Sequence, residues 1–563
     1  MRWLSRRYWR YLTYLVVIVV LKCVIESVYS RRQGTKVELF SGDFKEEDLG
    51  GQIVVNVGKL DCFHAGTLWR YCYGTRETCT VDAAYTTRRI IRKDLKGSLG
   101  YRWFGTCQFL FYDVLPLSYV SKLDEQELRS FHMVTAVGES GGTKNVDNLH
   151  VSLEPLSLAA VSQDKPILSG INVLFGEDCI DPRPDWYLDK SWKLENGRIP
   201  SYLTYRYLKS PESADHLQRL TVREDGKFKI VQLADLHFAT GKNECRDEYP
   251  KHAECDADSK TMHFIERVLD IESPDMVVYT GDQIMGDQSI QDSETSLMKA
   301  LAPVIERKIP WALIWGNHDD EGSLTRWELS KIARTLPYSL FTIGPKDTAD
   351  NSFGVGNYFH QVFDSEGKNA LITLYFLDSH KYSTMGKIYP GYDWIKEAQW
   401  DYLRQSYDQK LKLTAAKDDS SHLSMAFFHI PLPEYLNIDS RKSPGTKNPF
   451  VGSLKEGVTA PKYNSGGIDT LNYLGVDVTS CGHDHCNDYC LLDDSTTRKI
   501  WLCFGGGAGE GGYGGYGGTE RRIRTFQFDT KEGNIHTWKR LNGSPSETFD
   551  HQLVLEHGVP NAG

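Results

Sequence analysis

The chain has 563 residues, 40% of them hydrophobic, which is enough for two or three domains with sizeable cores. Its formal net charge of −10 argues against nucleic acid as a partner, because a surface that tracks a phosphate backbone needs a net positive field.

Residues 1–30 read as a membrane or targeting segment. Arg2, Arg6, Arg7 and Arg10 precede an apolar run from Tyr11 to Leu21, which Lys22 interrupts and Cys23-Val24-Ile25 extends. A signal anchor through residues 11–25 would keep the basic end in the cytoplasm and carry the rest of the chain across the membrane. A cleavable signal peptide also fits, since the core is short for a span of ~20 residues and Val28-Tyr29-Ser30 resembles a cleavage site. The anchor is the preferred reading. It implies a single-pass protein with a luminal or extracellular catalytic domain, in an endomembrane compartment or vacuole; the alternative is a secreted protein.

Residues 31–45 are polar and resemble a stem. From 37 to 215 a β-rich domain is expected. Runs such as Gln52-Ile53-Val54-Val55, Phe109-Leu110-Phe111 and Val173-Leu174-Phe175 are separated by Gly, Asp and Pro, with no convincing long helix. Cys62, His64, Asp178 and Cys179 read as structural, and Trp186, Tyr187 and Trp192 as candidates for packing this domain on the next. The boundary falls near residues 211–215.

Twelve cysteines are present, and Cys23 lies in the apolar segment. Eleven remain, so at least one thiol stays free. An oxidising compartment allows pairs among them, and Cys245 and Cys255, which bracket a polar loop, are expected to pair. Reduced, buried cysteines in a cytosolic enzyme are the alternative.

Residues 222–541 alternate strand and helix, the pattern of an α/β domain. Helices are expected over 259–271, 293–307, 324–336 and 395–411, where apolar residues recur three and four apart. Strands are expected over 276–280, 309–315, 370–377 and 425–429. Several apolar runs end in residues that bind metals. The first, Phe228 to Leu233, leads into Asp235-Leu236-His237, and alternation along an extended segment puts both side chains on one side. The others end in Gly281-Asp282, Gly316-Asn317-His318-Asp319, Phe428-His429 and Gly482-His483-Asp484-His485. Oxygen and nitrogen donors without thiolate suit Mn, Fe, Zn or Mg, and the number of imidazoles favours the transition metals.

This order of motifs resembles the calcineurin-like metallophosphoesterase superfamily. The wording around them is narrower: Ala234-Asp235-Leu236-His237-Phe238, Gly316-Asn317-His318-Asp319-Asp320-Glu321, Phe428-His429-Ile430-Pro431, and Gly482-His483-Asp484-His485-Cys486. It resembles the branch of fungal dosage-dependent cell-cycle-regulator phosphatases and purple-acid-phosphatase-like proteins. The resemblance implies two packed sheets flanked by helices. It implies two divalent or trivalent ions, with Asp235, His237 and His485 at one, Asn317, His429 and His483 at the other, and Asp282 bridging. A tyrosine three residues after the bridging carboxylate marks true purple acid phosphatases; Met285 stands there, so no phenolate ligand and no purple colour are expected.

Two ions ~4 Å apart can lower the pKa of a shared water and clamp a phosphoryl group. By resemblance His318 is the catalytic histidine, protonating the leaving group or binding a phosphoryl oxygen. Asp319 is expected to orient it by accepting the other ring proton. His380 and Glu434 read as structural. The implied reaction is hydrolysis of a phosphoester, as a phosphomonoesterase acting on a phosphorylated protein or small molecule, with a link to cell-cycle progression. A luminal domain would not reach cytosolic phosphoproteins, and a phosphodiesterase acting on nucleotides or lipid head groups uses the same ligands. A membrane-tethered binding protein with a structural metal cluster is the alternative from another class.

Gly505 to Gly518 lacks the spacing of a phosphate-cradling loop and is expected to be a flexible loop near the site. Residues 521–528 and 535–539 flank Lys531-Glu532-Gly533-Asn534 as a β-hairpin, with Arg521, Arg522 and Arg524 on a solvated face. Residues 542–563 read as a tail.

Overall fold

The runs that end in Asp, Asn or His become the parallel strands of two mixed sheets. In the computed structural model the described residues are Tyr14 and 51–561, apart from 67–68, 78–84, 139–143, 147–148, 163–165, 209–218, 346–351, 412–421, 439–450 and 516–517. Apart from Tyr14, the membrane segment expected through residues 11–25 lies outside them, as do the stem and the boundary at 211–215. Among the described residues no helix is long and apolar enough to cross a membrane.

The first sheet has seven strands in the order Trp311–Ile314, Met276–Thr280, Lys227–Leu233, Arg522–Asp529, Asn534–Leu541, Ser544–Glu556 and Val559–Pro560. The first three are parallel and the hairpin continues the sheet antiparallel. The second has six, in the order Tyr358–Phe363, Ala370–Phe376, Leu423–Phe427, Val478–Cys481, Ile500–Phe504 and Cys490–Asp493, with parallel pairing at its centre. Every residue of Met276–Thr280, Trp311–Ile314, Leu423–Phe427 and Val478–Cys481 is buried. Parallel strands covered on both faces favour apolar residues throughout, and each fully buried Val, Leu or Phe contributes about 1.5–3 kcal/mol. Helix Ser293–Glu306 begins at the expected residue and Ala257–Glu272 two residues before it, and the two are capped by the carboxylates of Asp292 and Asp256. The later two are shorter than the apolar spacing suggests, Arg326–Ala333 and Glu397–Ser406, the second running into a π-turn at Tyr407–Leu411.

Gln232, in the strand before Asp235, ties the two sheets together. Its Nε2 donates to Thr280 Oγ1 (2.9 Å) and to the Cys481 carbonyl (3.2 Å), and its Oε1 accepts from Ser480 Oγ (2.6 Å). The carboxyl ends of both sheets therefore open at one place.

Residues 52–207 form three small antiparallel sheets around a core that includes Val54, Leu110, Val134, Val151, Val173 and Leu203. Their described helices are four or five residues long. This part does not stand apart: residues 51–563 make one compact unit. Trp186, Tyr187 and Trp192 do not make the junction expected of them. Trp192 packs in the β-rich core, Trp186 lies under the Arg183 guanidinium (3.6 Å), and Tyr187 stacks with Tyr205. Leu174, Cys179 and Tyr202 join the core of the catalytic part instead, and charges also link the two. Lys93 Nζ meets Asp292 (2.7 Å) and Glu294 (2.9 Å), and Lys299 Nζ meets Asp178 (2.5 Å) and Asp258 (2.6 Å).

Two expectations about the C-terminal region are corrected. Residues 544–556 are not a tail but a strand paired with Asn534–Leu541, and Val554 and Leu555 enter the core. The arginines of the hairpin are buried rather than solvated. Arg524 donates to the Phe504 carbonyl, Thr537 and the Asp488 carbonyl, and Arg522 Nη1 meets Asp488 Oδ2 at 2.6 Å. Asp488 also faces Lys539 Nζ (3.1 Å) and accepts from the Ser453 amide (2.6 Å). Burial alone would raise its pKa, but Arg522 and Lys539 hold it down to about 2. A carboxylate whose folded pKa lies below its unfolded value of ~3.9 stabilises the fold above that value. The contribution is lost as pH falls from ~3.9 through about 2. The stability difference between wild type and Asp488→Asn is expected to be about 2 kcal/mol at pH 5 and to shrink toward pH 2. Urea unfolding at several pH values measures it, and a difference independent of pH would contradict the assignment.

Candidate metal centre

The seven expected ligands meet at the carboxyl ends of these strands, and all seven are buried. Asp235 Oδ1 lies 3.6 Å from His485 Nε2, and His485 Nε2 lies 3.0 Å from His237 Nε2. With Asp282, these donors all fall within 4.8 Å of one another. On the other side His429 Nε2 lies 3.1 Å from Asn317 Oδ1. Asp282 Oδ2 stands between the groups, 3.8 Å from His237 Nε2 and 3.4 Å from His429 Nε2. His483 joins the second group, its ring 5.1 Å from that of His429.

The local backbone is built for this convergence. Asp235, His237, Asp282 and His483 all have positive φ, between 53° and 77°. Side chains rarely adopt that region, at a cost of order 1–3 kcal/mol each, and such strain collects at functional sites. Gly281 has φ 95°, and a Cβ there would lie 2.2 Å from His429 Nδ1. His483 N donates to Asp235, and His318 N donates to Asp282 Oδ1 (2.8 Å).

Tautomers follow from the hydrogen bonds. His429 Nδ1 donates to the Thr280 carbonyl (2.9 Å) and His485 Nδ1 to the Tyr513 carbonyl (2.9 Å). A carbonyl only accepts, so in both rings Nδ1 carries a proton and Nε2 faces the cluster, as in a metal-binding imidazole. His483 Nε2 is buried without a hydrogen-bond partner among the described residues. Burial and the like charge of Asp282 push Asp235 up to about 8, while Asp282 and Asp235 raise His429 to about 9 against the effect of burial. Burial also lowers His237, to about 3. Converging lone pairs, an orphaned imidazole nitrogen and two buried carboxylates fit a pair of cations sharing Asp282. The donors are all oxygen and nitrogen; the free thiols Cys481 and Cys486 are not among them.

Several assignments change. Asp319 does not orient His318. Its carboxylate accepts the backbone N–H groups of Gly316 (2.7 Å), Asp282 (3.0 Å) and Ile284 (3.0 Å), which locks the two ligand loops together. Glu321 takes the orienting place: His318 Nδ1 lies 2.7 Å from its Oε2, and the His318 ring is 5.6 Å from that of His237. Glu321 stands three residues after His318 in the sequence, so the signal is there, but adjacency favours Asp319. His380 Nε2 lies 2.8 Å from Gln399 Oε1, and Glu434 Oε1 accepts from Asn464 Nδ2 at 2.7 Å. Met285 is buried and adds no ligand.

The described residues of 505–518 form a wall rather than a flexible loop. A Cβ on Gly512 would sit 2.6 Å from both His237 Cδ2 and His485 Cε1, so the glycine is needed for close approach. The Tyr513 ring stacks on His485 at 3.9 Å. Arg521 Nη2 bonds the carbonyls of Gly512 (2.7 Å) and Arg246 (2.6 Å), fastening this wall to the loop closed by Cys245–Cys255. That pair is the one expected; Cys62–Cys72 and Cys490–Cys503 also form disulfides. Behind His237, Asn243 Nδ2 donates to its carbonyl (3.0 Å) and to Asp258 (2.9 Å), and Asp258 is held by Lys299.

Residues 228–487 match the family model described as calcineurin-like phosphoesterase. Phosphatase DCR2 of Saccharomyces cerevisiae is 53% identical over 99% of this chain and 99% of its own. A protein of Arabidopsis thaliana named "Probable inactive purple acid phosphatase 29" is 38% identical over 61% of this chain and 89% of its own. An uncharacterized protein of Schizosaccharomyces pombe is 36% identical over 68% of this chain and 71% of its own. The motif order, the site they build and the full-length similarity agree: the chain belongs to the calcineurin-like phosphoesterase family.

Proposed function

We propose that this chain is a metal-dependent phosphoester hydrolase, acting as a phosphomonoesterase through two ions of the Mn, Fe or Zn kind. The observation that carries the reading is Asp282 Oδ2, poised between His237 Nε2 and His429 Nε2 at the meeting of two donor groups. Two bound ions would supply an acidified water and positive charge for the phosphoryl oxygens. Asp235, His237 and His485 would hold one, Asn317, His429 and His483 the other. Asn317, being neutral, leaves more of that charge for the substrate anion.

His318 acts on the leaving group. Glu321 holds Nδ1, so Nε2 is the nitrogen left for substrate, and the partly exposed ring can deliver a proton to the departing oxygen. Glu321→Ala is expected to lower kcat 10- to 100-fold with metal content unchanged, the usual scale for an orienting partner. Loss of metal in that variant would instead place Glu321 in the metal cluster.

The test of the function uses purified protein loaded with Mn, Fe, Zn or Mg, with p-nitrophenyl phosphate and bis-p-nitrophenyl phosphate offered side by side. Faster turnover of the monoester supports the phosphomonoesterase. Preference for the diester favours the phosphodiesterase, and no turnover of either by folded, metal-loaded protein favours a binding protein with a structural cluster.

The same proposal places the catalytic domain in a lumen or outside the cell, behind a membrane segment at residues 11–25. Three disulfides support an oxidising compartment. Protease protection of the catalytic domain in intact vesicles tests it, and digestion without membrane disruption would refute it.

A further inference from the structure

A covalent link stands behind the metal centre. Cys245–Cys255 closes a loop whose feet reach the cluster: Asn243 Nδ2 donates to the His237 carbonyl (3.0 Å), and the Ala257 amide donates to the Asn243 carbonyl (2.9 Å). Packing does little to keep this loop closed. Of residues 246–254 all but Glu248 are exposed, and none belongs to a hydrophobic core. Yet the loop carries the glycine-rich wall. The Arg246 amide donates to the Glu510 carbonyl (2.9 Å), the Arg246 carbonyl accepts from Arg521 Nη2 (2.6 Å), and Asp247 Oδ2 accepts from the Gly514 amide (3.1 Å). Lys260 Nζ lies between Glu248 Oε1 (2.7 Å) and Glu510 Oε1 (3.0 Å). These bonds fall on either side of Gly512 and Tyr513, which pack against His237 and His485. The Tyr513 carbonyl also fixes His485 Nδ1.

The disulfides differ in access. Cys245 and Cys255 are partly exposed, whereas Cys62, Cys490 and Cys503 are each 0% exposed. An attacking thiolate must reach a sulfur to open a disulfide, so a reductant meets Cys245–Cys255 first.

We propose that Cys245–Cys255 is a thiol–disulfide exchange site, and that its opening by a dithiol loosens the ion held by Asp235, His237 and His485. The S–S bond breaks and both cysteines become thiols; the dithiol supplies the two electrons and two protons and leaves as its own disulfide. The inference rests on the two-ion reading and adds regulation at the same site. A cross-link restricts the open chain, so without it a loop with so little packing visits open states and the wall loses its support. The contacts of Gly512 and the stacking of Tyr513 fall on His237 and His485, so the effect is expected at the ion of that side.

The test follows metal-loaded full-length protein as tris(2-carboxyethyl)phosphine is raised; the phosphine opens a disulfide to two thiols and leaves as its oxide, with water supplying the oxygen and the protons. New thiols are trapped by alkylation and mapped, and manganese bound per chain is measured against free manganese. Cys245 and Cys255 are expected to be trapped at lower phosphine than Cys490 and Cys503. With only that pair open, one ion is expected to bind 10- to 100-fold more weakly and the other to be kept, the scale for losing an outer support of a metal ligand. The double variant Cys245→Ser, Cys255→Ser is expected to show the same weak ion without reductant and no further change at that phosphine level. If the double variant does not fold, the wild-type titration decides alone. Opening of this pair with both ions held at unchanged affinity would overturn the proposal, as would earlier opening of Cys490–Cys503. Oxidised wild type that binds fewer than two ions would sink the two-ion reading and the proposal with it, whereas failure of the proposal alone shows only after reduction.

Discussion

Asp282→Asn is expected to reduce turnover by at least about a thousandfold and to lower metal content from two ions per chain to one or none. The scale is that of losing charge stabilisation at the reacting centre. Asp282 offers Oδ2 to both donor groups while Oδ1 accepts the His318 amide at 2.8 Å. Asparagine has the same shape and can still accept that amide, so the fold is expected to survive. It lacks the charge, and with Asp235 the only other carboxylate among the seven ligands, half of the negative charge facing the cations disappears. Metal analysis per chain together with the rate on p-nitrophenyl phosphate measures the effect. A variant that keeps two ions and the wild-type rate would rule out Asp282 as the bridge.

The second large effect is expected far from any substrate. Lys299→Met should destabilise the protein by about 3–5 kcal/mol, the scale for removing one partner of a buried ion pair. The Lys299 side chain is 1% exposed, and its Nζ serves Asp178 of the β-rich part and Asp258 of the catalytic part. Burial lowers its pKa, but Asp258 and Asp178 outweigh that, so it stays charged. Methionine fills the volume of the stem and leaves Asp258 buried with no cation. Asp258 also fixes the Ala239 amide and Asn243, which holds the His237 carbonyl, so the loss should reach the metal centre as a 10- to 100-fold weaker affinity. Thermal unfolding and metal titration test the two halves separately. An unchanged melting temperature would show that the junction is not held by this charge. Weaker folding with unchanged metal affinity would confine Lys299 to the junction.

Both expectations rest on residues whose roles differ in how far the chain alone reveals them. Asp235, His237, Asp282, Asn317, His429, His483 and His485 are legible because each closes an apolar run. A buried strand can only end where polar groups are tolerated, and parallel strands end on one side of a sheet. The hairpin at Arg522–Leu541 and the helix starts at Asp256 and Asp292 were equally local.

What the tertiary structure decided is pairing between distant segments. Sequence proximity favoured Asp319 as the partner of His318, but its carboxylate is consumed by three backbone amides and Glu321 reaches the ring. Three arginines within four residues resemble a solvated strand face until Asp488 and the carbonyls of Phe504 and Gly512 arrive from elsewhere to satisfy them. A glycine-rich run resembles a loose loop until two imidazoles are found where its side chains would have been. Residues 544–556 resemble a tail because most of the strand is only partly buried, so polar and apolar residues alternate weakly, and its partner strand supplies the hydrogen bonds. Strand-end chemistry is written in short-range pattern, so this chain declares its metal ligands by itself. Which acid orients the histidine, which cation joins the two parts and which loop backs the ligands depend on contacts between residues far apart in the chain, and only the packed molecule brings those together.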